Sequence, residues 1–195
     1  MKRALLTISL ISIMVIGVRA QSISGGIKAG FNVANQNISY GSISLNTKSK
    51  IGFHGGGYVT VMFTEKIGLQ PELLFSTQGS KAKEFDYGFN VNYVIIPVLV
   101  RYNITEMVSV HAGPQLGFLT SAKFVEDSDS FDEKDEFKGI DFSVAFGVGI
   151  DLPMGLNFGM RYIIGLSNVT EDEEDYGTFK NTNFQLFVGY RLFGE

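Results

Sequence analysis

Gly139-Ile140-Asp141-Phe142-Ser143-Val144-Ala145-Phe146-Gly147-Val148-Gly149-Ile150-Asp151 is the stretch whose reading decides the fold. Successive residues of a β-strand point to opposite faces. Ile140, Phe142, Val144, Phe146, Val148 and Ile150 therefore share one apolar face, and Asp141, Ser143, Ala145, Gly147, Gly149 and Asp151 share a small or polar one. The alternation runs without a break over residues 139–151. Strands of soluble domains usually stop at about five or six residues. A tilted strand that crosses a bilayer needs about 9–11. Repeated along the chain, this is the signature of a transmembrane β-barrel.

The alternation recurs. Eight strands are expected, at 24–35, 50–63, 67–79, 89–104, 107–123, 138–151, 155–168 and 180–193. Ile67, Leu69, Leu73 and Phe75 oppose Gln70, Glu72 and Ser76; Leu156, Phe158, Met160, Tyr162 and Ile164 oppose Asn157, Gly159 and Arg161; Phe184, Leu186, Val188, Tyr190 and Leu192 oppose Asn183, Gln185, Gly189 and Arg191. The fourth strand is ambiguous, because Tyr93, Ile95, Pro97 and Leu99 are as apolar as Val94, Ile96 and Val98. The connections alternate in length. Thr64-Glu65-Lys66, Thr105-Glu106 and Leu152-Pro153-Met154-Gly155 read as tight turns, whereas 36–49, 80–88, 124–137 and 169–179 are longer and polar. The expected fold is all-β: an eight-stranded antiparallel up-and-down transmembrane β-barrel. Short turns on one rim and long loops on the other match the outer-membrane arrangement, with short turns and both termini periplasmic.

The rival is a soluble eight-stranded barrel of the lipocalin type, with the apolar face inward. Its water-facing side should be rich in Lys and Glu. Here the non-apolar face is mostly Gly, Ala, Ser, Asn and Gln, which suits the cramped inside of a small barrel. Seventeen Phe and 23 Gly with no Trp fit the same picture.

Residues 1–20 read as a secretory signal peptide. Lys2 and Arg3 form a basic start, Ala4 to Val18 is apolar, and Val18-Arg19-Ala20 resembles a cleavage site, so the mature barrel domain is expected to span 21–195. A membrane anchor would need a longer apolar run. No Cys follows, so lipoprotein processing is excluded, as are disulfides, thiolate metal sites and Cys catalysis. Of 16 basic residues, Lys2, Arg3 and Arg19 lie in the signal; 13 then face 20 acidic ones, a net charge of −7. That charge argues against nucleic acid as a partner.

Several strings in combination carry a family resemblance: Gly26-Ile27-Lys28-Ala29-Gly30-Phe31-Asn32, then Leu69-Gln70-Pro71-Glu72-Leu73-Leu74-Phe75-Ser76, then Asn92-Tyr93 through Ile96-Pro97-Val98-Leu99 to Arg101-Tyr102, and Ala112-Gly113-Pro114-Gln115-Leu116-Gly117. The chain resembles the PorT-like outer-membrane β-barrels over essentially its whole mature length. The resemblance implies the fold and an outer-membrane location in a Gram-negative-type cell. Some relatives are associated with secretion or gliding machinery, so family likeness alone does not choose among pore, scaffold and adhesin. Two departures stand out: Ile95 sits where relatives often carry an acid, and Gly194-Glu195 follow the terminal aromatic Phe193.

The interior face is expected to hold Lys28, Glu72, Arg101, His111, Asp141, Arg161 and Arg191. Charges in a narrow lumen must be paired or hydrated. Both signs are present, so the expected solution is a salt-bridged network that fills the barrel, with Glu72 facing several guanidiniums; the alternative is a gated conduit. His54-Gly55-Gly56-Gly57 resembles an oxyanion-hole string, but no Gly-x-Ser-x-Gly elbow accompanies it. The two histidines make no spaced zinc pair. Asp127-Ser128-Asp129-Ser130-Phe131-Asp132 lacks the Gly and the third ligand of a calcium loop. Segment 125–137 carries seven acids, and Glu171 to Asp175 are five in succession. They read as extracellular loops, with binding of divalent cations that bridge lipopolysaccharide phosphates as a further option.

The reading is thus a non-enzymatic, structural, envelope-associated or partner-binding barrel without a cofactor or metal. A monomer in contact with outer-membrane lipid and lipopolysaccharide is expected, with other envelope proteins as candidate partners. A lipid-modifying hydrolase and a small-solute pore are the alternatives.

Overall fold

A computed structural model describes residues 21–40, 43–46, 48–81, 87–126, 129–132, 134, 137–169 and 178–194. Ten strands follow in order: β1 (Ser22–Tyr40), β2 (Ile43–Asn46), β3 (Lys48–Met62), β4 (Ile67–Lys81), β5 (Tyr87–Asn103), β6 (Val108–Glu126), β7 (Asp129–Asp132), β8 (Ile140–Asp151), β9 (Leu156–Gly165) and β10 (Thr178–Phe193). All pairings are antiparallel between neighbours, and β10 also pairs with β1, from Gly25 opposite Phe193 to Ser39 opposite Thr178. That last pairing closes the sheet. β2 and β7 are four-residue pieces that only prolong the hairpins of β1 and β6, so the closed wall has eight strands.

The expected strands are all present, but the rim on the long-loop side differs. Residues expected as loop at 36–40 and 124–126 continue β1 and β6, and the short β2 and β7 lie in segments expected to be loop. Backbone pairing alone satisfies the ladder there, and no bilayer imposes an apolar face, so the alternation fades while the strand continues. In the other direction β9 ends at Gly165, three residues short of the expected 168.

The faces are inverted relative to a soluble barrel. Ile51 is 75% exposed and Phe31 68%, whereas Asn32, Gln185 and Arg161 are buried. In β5 the structure resolves the ambiguity: Val91, Tyr93, Ile95 and Leu99 point inward and are buried, and Val100 and Tyr102 face out. The inward apolar residues form a cluster of Leu74, Val91, Tyr93, Ile95 and Leu119 with Phe137 and Val169. The last two come from the segments flanking β8 and β9, pinned by a bond from Lys138 N to Val169 O (2.8 Å) and one from Leu119 N to Gly139 O (2.9 Å). They lay an apolar plug across the lumen at the long-loop end.

The opposite rim is closed by tight turns. Thr64 Oγ1 accepts from the backbone N–H groups of Lys66 (3.2 Å) and Ile67 (2.9 Å), and Thr105 Oγ1 does the same for Met107 (3.2 Å) and Val108 (2.9 Å). One hydroxyl thus satisfies two amides that the ladder leaves over. The third turn uses Pro153 with a bond from Gly155 N to Leu152 O (2.9 Å). Gly155 has φ +89°, a conformation that disfavours any side chain.

Candidate functional site

The lumen is filled by polar side chains that converge on Glu72. Its strand, β4, projects Gln70, Glu72, Ser76 and Gln78 inward. Glu72 Oε1 accepts from Lys28 Nζ of β1 (2.7 Å), from Gln70 Nε2 (2.7 Å) and from one guanidinium nitrogen of Arg161 on β9 (2.9 Å); Oε2 accepts from the other nitrogen (2.9 Å). The side chains of all three ions are almost wholly buried. A fork of this kind is the strongest ordinary pairing for a carboxylate.

Two cations on one carboxylate leave a positive excess. The ring of Phe187 on β10 takes up part of it. Lys28 Nζ lies 4.3 Å from its centroid and Arg161 Cζ 5.5 Å, and Lys28 is also 5.0 Å from the ring of Tyr58. Cations over aromatic faces gain on the order of 2 kcal/mol when desolvated. The ring fits because β9 has a glycine opposite it: a Cβ on Gly159 would lie 2.4 Å from Phe187 Cζ. Arg161 Nε also donates to His111 Nε2 (3.2 Å), which fixes that nitrogen as an acceptor.

Gln70 connects this cluster to a second. Its Oε1 accepts from Arg101 (3.2 Å) and from Thr60 Oγ1 (3.1 Å). Arg101 in turn pairs with Asp151 and donates to Asn103 Oδ1 (3.0 Å). Between the two clusters a void of about 20 Å³ remains, room for roughly one water. Nearer the short turns the lumen widens into a cavity of about 200 Å³ lined by Arg101, Asp151 and Arg191 among others.

The seven interior residues expected from the sequence therefore divide into three groups. Lys28, Glu72, Arg161 and His111 are in direct contact, and Arg101 joins them through Gln70. Asp141 is separate: Ser167 Oγ (2.7 Å) and Asn181 Nδ2 (3.0 Å) donate to it, and no described cation pairs with it. Arg191 does not reach Glu72. It lies opposite Gly26, whereas Lys28 lies opposite Gly189, so Arg191 sits two residues further toward the short-turn mouth. Gln70, Asp151 and Phe187 were missed as members of the network. Their signal was parity, since each lies on the inward register of its strand.

His54 is buried with Nδ1 against Asn32 Oδ1 (2.8 Å). Among the described residues neither His54 nor His111 has a serine hydroxyl as partner, and no group of three acids or histidines could hold a metal. Asp127 and Ser128 of the calcium-like string lie outside the described residues, as do 133, 135, 136 and 170–177 of the acidic segments; the remainder of the string is β7, whose backbone pairs with β6.

Comparison with known proteins agrees with this architecture. The outer membrane protein beta-barrel domain family matches residues 19–171. Among solved structures, Neisserial surface protein A (NspA) superposes with a TM-score of 0.54 at 14% identity, covering 85% of this chain and 96% of that one. Ail, the attachment invasion locus protein of Yersinia pestis, superposes at 0.53 with 17% identity over 87% of this chain and 98% of its own. A second Ail structure, in complex with the heparin analogue sucrose octasulfate, gives 0.52 with 16% identity over 87% and 99%. At these identities the likeness is one of fold. No curated protein matches the sequence.

Proposed function

The chain belongs to the outer membrane protein beta-barrel domain family, and on that premise we propose that it is a non-enzymatic barrel with a sealed lumen, anchoring in the outer membrane a rim that binds partners in the cell envelope. The observation that carries this reading is the buried cluster of Lys28, Glu72, Arg161 and Phe187 across the lumen. Small barrels are ordinarily filled by side chains. Here the filling is an ion-paired layer backed by an apolar plug of Tyr93, Leu119, Phe137 and Val169, which leaves little support for a small-solute pore. A hydrolase would need a nucleophile beside a histidine at a rim, and the partners of both histidines are Asn32 and Arg161.

The exposed apolar band, with Phe31, Ile51, Phe146 and Leu186, is the lipid face. We place the short turns and both termini in the periplasm, following the rule for such barrels. A signal peptide ending near Ala20 leaves the described ladder to the mature chain, in which Gln21 N is bonded to Met62 O (2.8 Å). The protein works as a monomer, and the PorT-like strings favour a role beside secretion machinery. A polysulfated ligand such as the sucrose octasulfate in complex with Ail does not suit this charge, because Glu171 to Asp175 and the seven acids of 125–137 repel it. Basic partner surfaces, or divalent cations that bridge lipopolysaccharide phosphates, fit the charge.

Purified protein in planar bilayers should pass no steady current, and crosslinking in intact envelopes should recover partners through the loop rim. Robust steady current from the unmodified barrel would overturn the sealed-lumen reading.

A further inference from the structure

The cavity at the short-turn end holds a cation that the fold leaves unused. Arg101 is committed to Asp151, Gln70 and Asn103. Arg191 faces the same space, is only half-buried, and its guanidinium has no hydrogen-bond or ion-pair partner among the described residues. Five donors on a rigid fork are thus presented to a cavity of about 200 Å³.

The rest of the lining is not that of a simple anion site. Asp151 uses Oδ2 for Arg101, and its Oδ1 has no hydrogen-bond partner among the described residues. Glu106, in the turn between β5 and β6, is exposed and also lines the space. The Tyr58 hydroxyl accepts from Asn157 (2.8 Å) and keeps its own proton to donate. Leu152 and Leu156 supply an apolar patch. A dianion would gain Arg191 but meet two carboxylates. A molecule with a carboxylate at one end and an ammonium at the other can satisfy both signs. The volume falls below the roughly 300–1,000 Å³ of sites for drug-sized ligands, which restricts the occupant to a small molecule.

We propose that this cavity is a binding site for a small zwitterion of the α-amino acid class, its carboxylate on Arg191 and its ammonium between Asp151 and Glu106. The site opens at the short-turn mouth, below the ion-paired layer, so binding there does not depend on whether the lumen conducts.

The test uses the full chain folded in detergent micelles and labelled with nitrogen-15, titrated with L-alanine, acetate, methylammonium and inorganic phosphate. L-Alanine should shift the amides of Ser24, Asn103 and Gly155 saturably. Acetate and methylammonium, each carrying one half of the recognition, should bind at least tenfold more weakly. Arg191→Gln should weaken L-alanine at least tenfold, and Glu106→Gln by a smaller factor. Neither side chain has a hydrogen-bond or ion-pair partner among the described residues, so both variants should fold, which the same spectra report. If Arg191→Gln does not fold, the Glu106→Gln titration and the order of the four probes still decide. The absence of any saturable shift, tighter binding of phosphate than of L-alanine, or indifference of L-alanine to both substitutions would each overturn the proposal.

Discussion

Arg161 and Glu72, 89 residues apart in the chain, meet across the lumen through two parallel hydrogen bonds of 2.9 Å. The pair joins β9 to β4, on opposite sides of the closed wall, so it acts as a strut through the barrel. Lys28 adds a third strand, β1, to the same carboxylate.

Glu72→Gln should therefore destabilise the barrel strongly. It keeps the shape but leaves Lys28 and Arg161 buried without a counter-charge, a loss on the order of 3–5 kcal/mol for one partner of a buried pair. A lowered urea midpoint in micelles checks this. An unchanged midpoint would mean that water already screens these ions.

Gly159→Ala should cost about 1–3 kcal/mol through overpacking. The new methyl would lie 2.4 Å from Phe187 Cζ and 2.6 Å from Val148 O. Gly57→Ala is the control, because its methyl would meet only Gly26 O at 3.6 Å. Adding Phe187→Leu to Gly159→Ala should recover part of the loss, and thermal unfolding of the parent, Gly159→Ala, Phe187→Leu and the double variant measures the coupling.

Which face was lipid and which was lumen was legible from strict alternation, most clearly in β8. The same parity identifies Lys28, Glu72 and Arg161 as inward. What parity cannot supply is height. Contacts between strands depend on register and tilt, and these set Asp141 among Ser167 and Asn181 and Arg191 near the mouth. Inward Phe187 was obscured for another reason: an aromatic in a small lumen looks like a parity error until the glycine opposite it is known. The rim strands β2 and β7 were illegible because outside the bilayer the ladder places no demand on side-chain polarity.

The two threonine turns carry a separate prediction. Each hydroxyl accepts two backbone amides. Thr64→Ala and Thr105→Ala should each cost about 0.5–1.5 kcal/mol, the net worth of an ordinary intramolecular hydrogen bond, and Thr→Ser should restore most of it. Because the sites lie on different turns without shared partners, the double alanine variant should be close to additive. Urea titrations of the set measure both points.

Phe146→Arg should cost about 2–4 kcal/mol if the residue lies near the bilayer midplane. Phe146 is 46% exposed on the outer face of β8, packed against Tyr162 at a centroid distance of 5.7 Å. Phe146→Leu should fold nearly as well as the parent. Equal folding of the arginine variant into lipid vesicles would contradict the lipid assignment of this face.

The seal can be dissected at Phe187. Phe187→Ala removes the ring shared by Lys28 and Arg161 and enlarges the void of about 20 Å³ beside it. Truncating a large aromatic that fills a core costs roughly 3–5 kcal/mol, so the variant should unfold at lower urea. It should nevertheless pass no steady current. The apolar plug of Leu74, Val91, Tyr93, Leu119, Phe137 and Val169 stands in series with the ion-paired layer and makes no contact with Phe187 in its cluster. Two barriers in series mean that opening one leaves the path closed. Current should appear only when the plug is also weakened, for instance by Leu119→Ser together with Phe187→Ala. Steady current from Phe187→Ala alone, measured in planar bilayers, would show that the long-loop cluster does not seal and that the ion-paired layer is the sole gate.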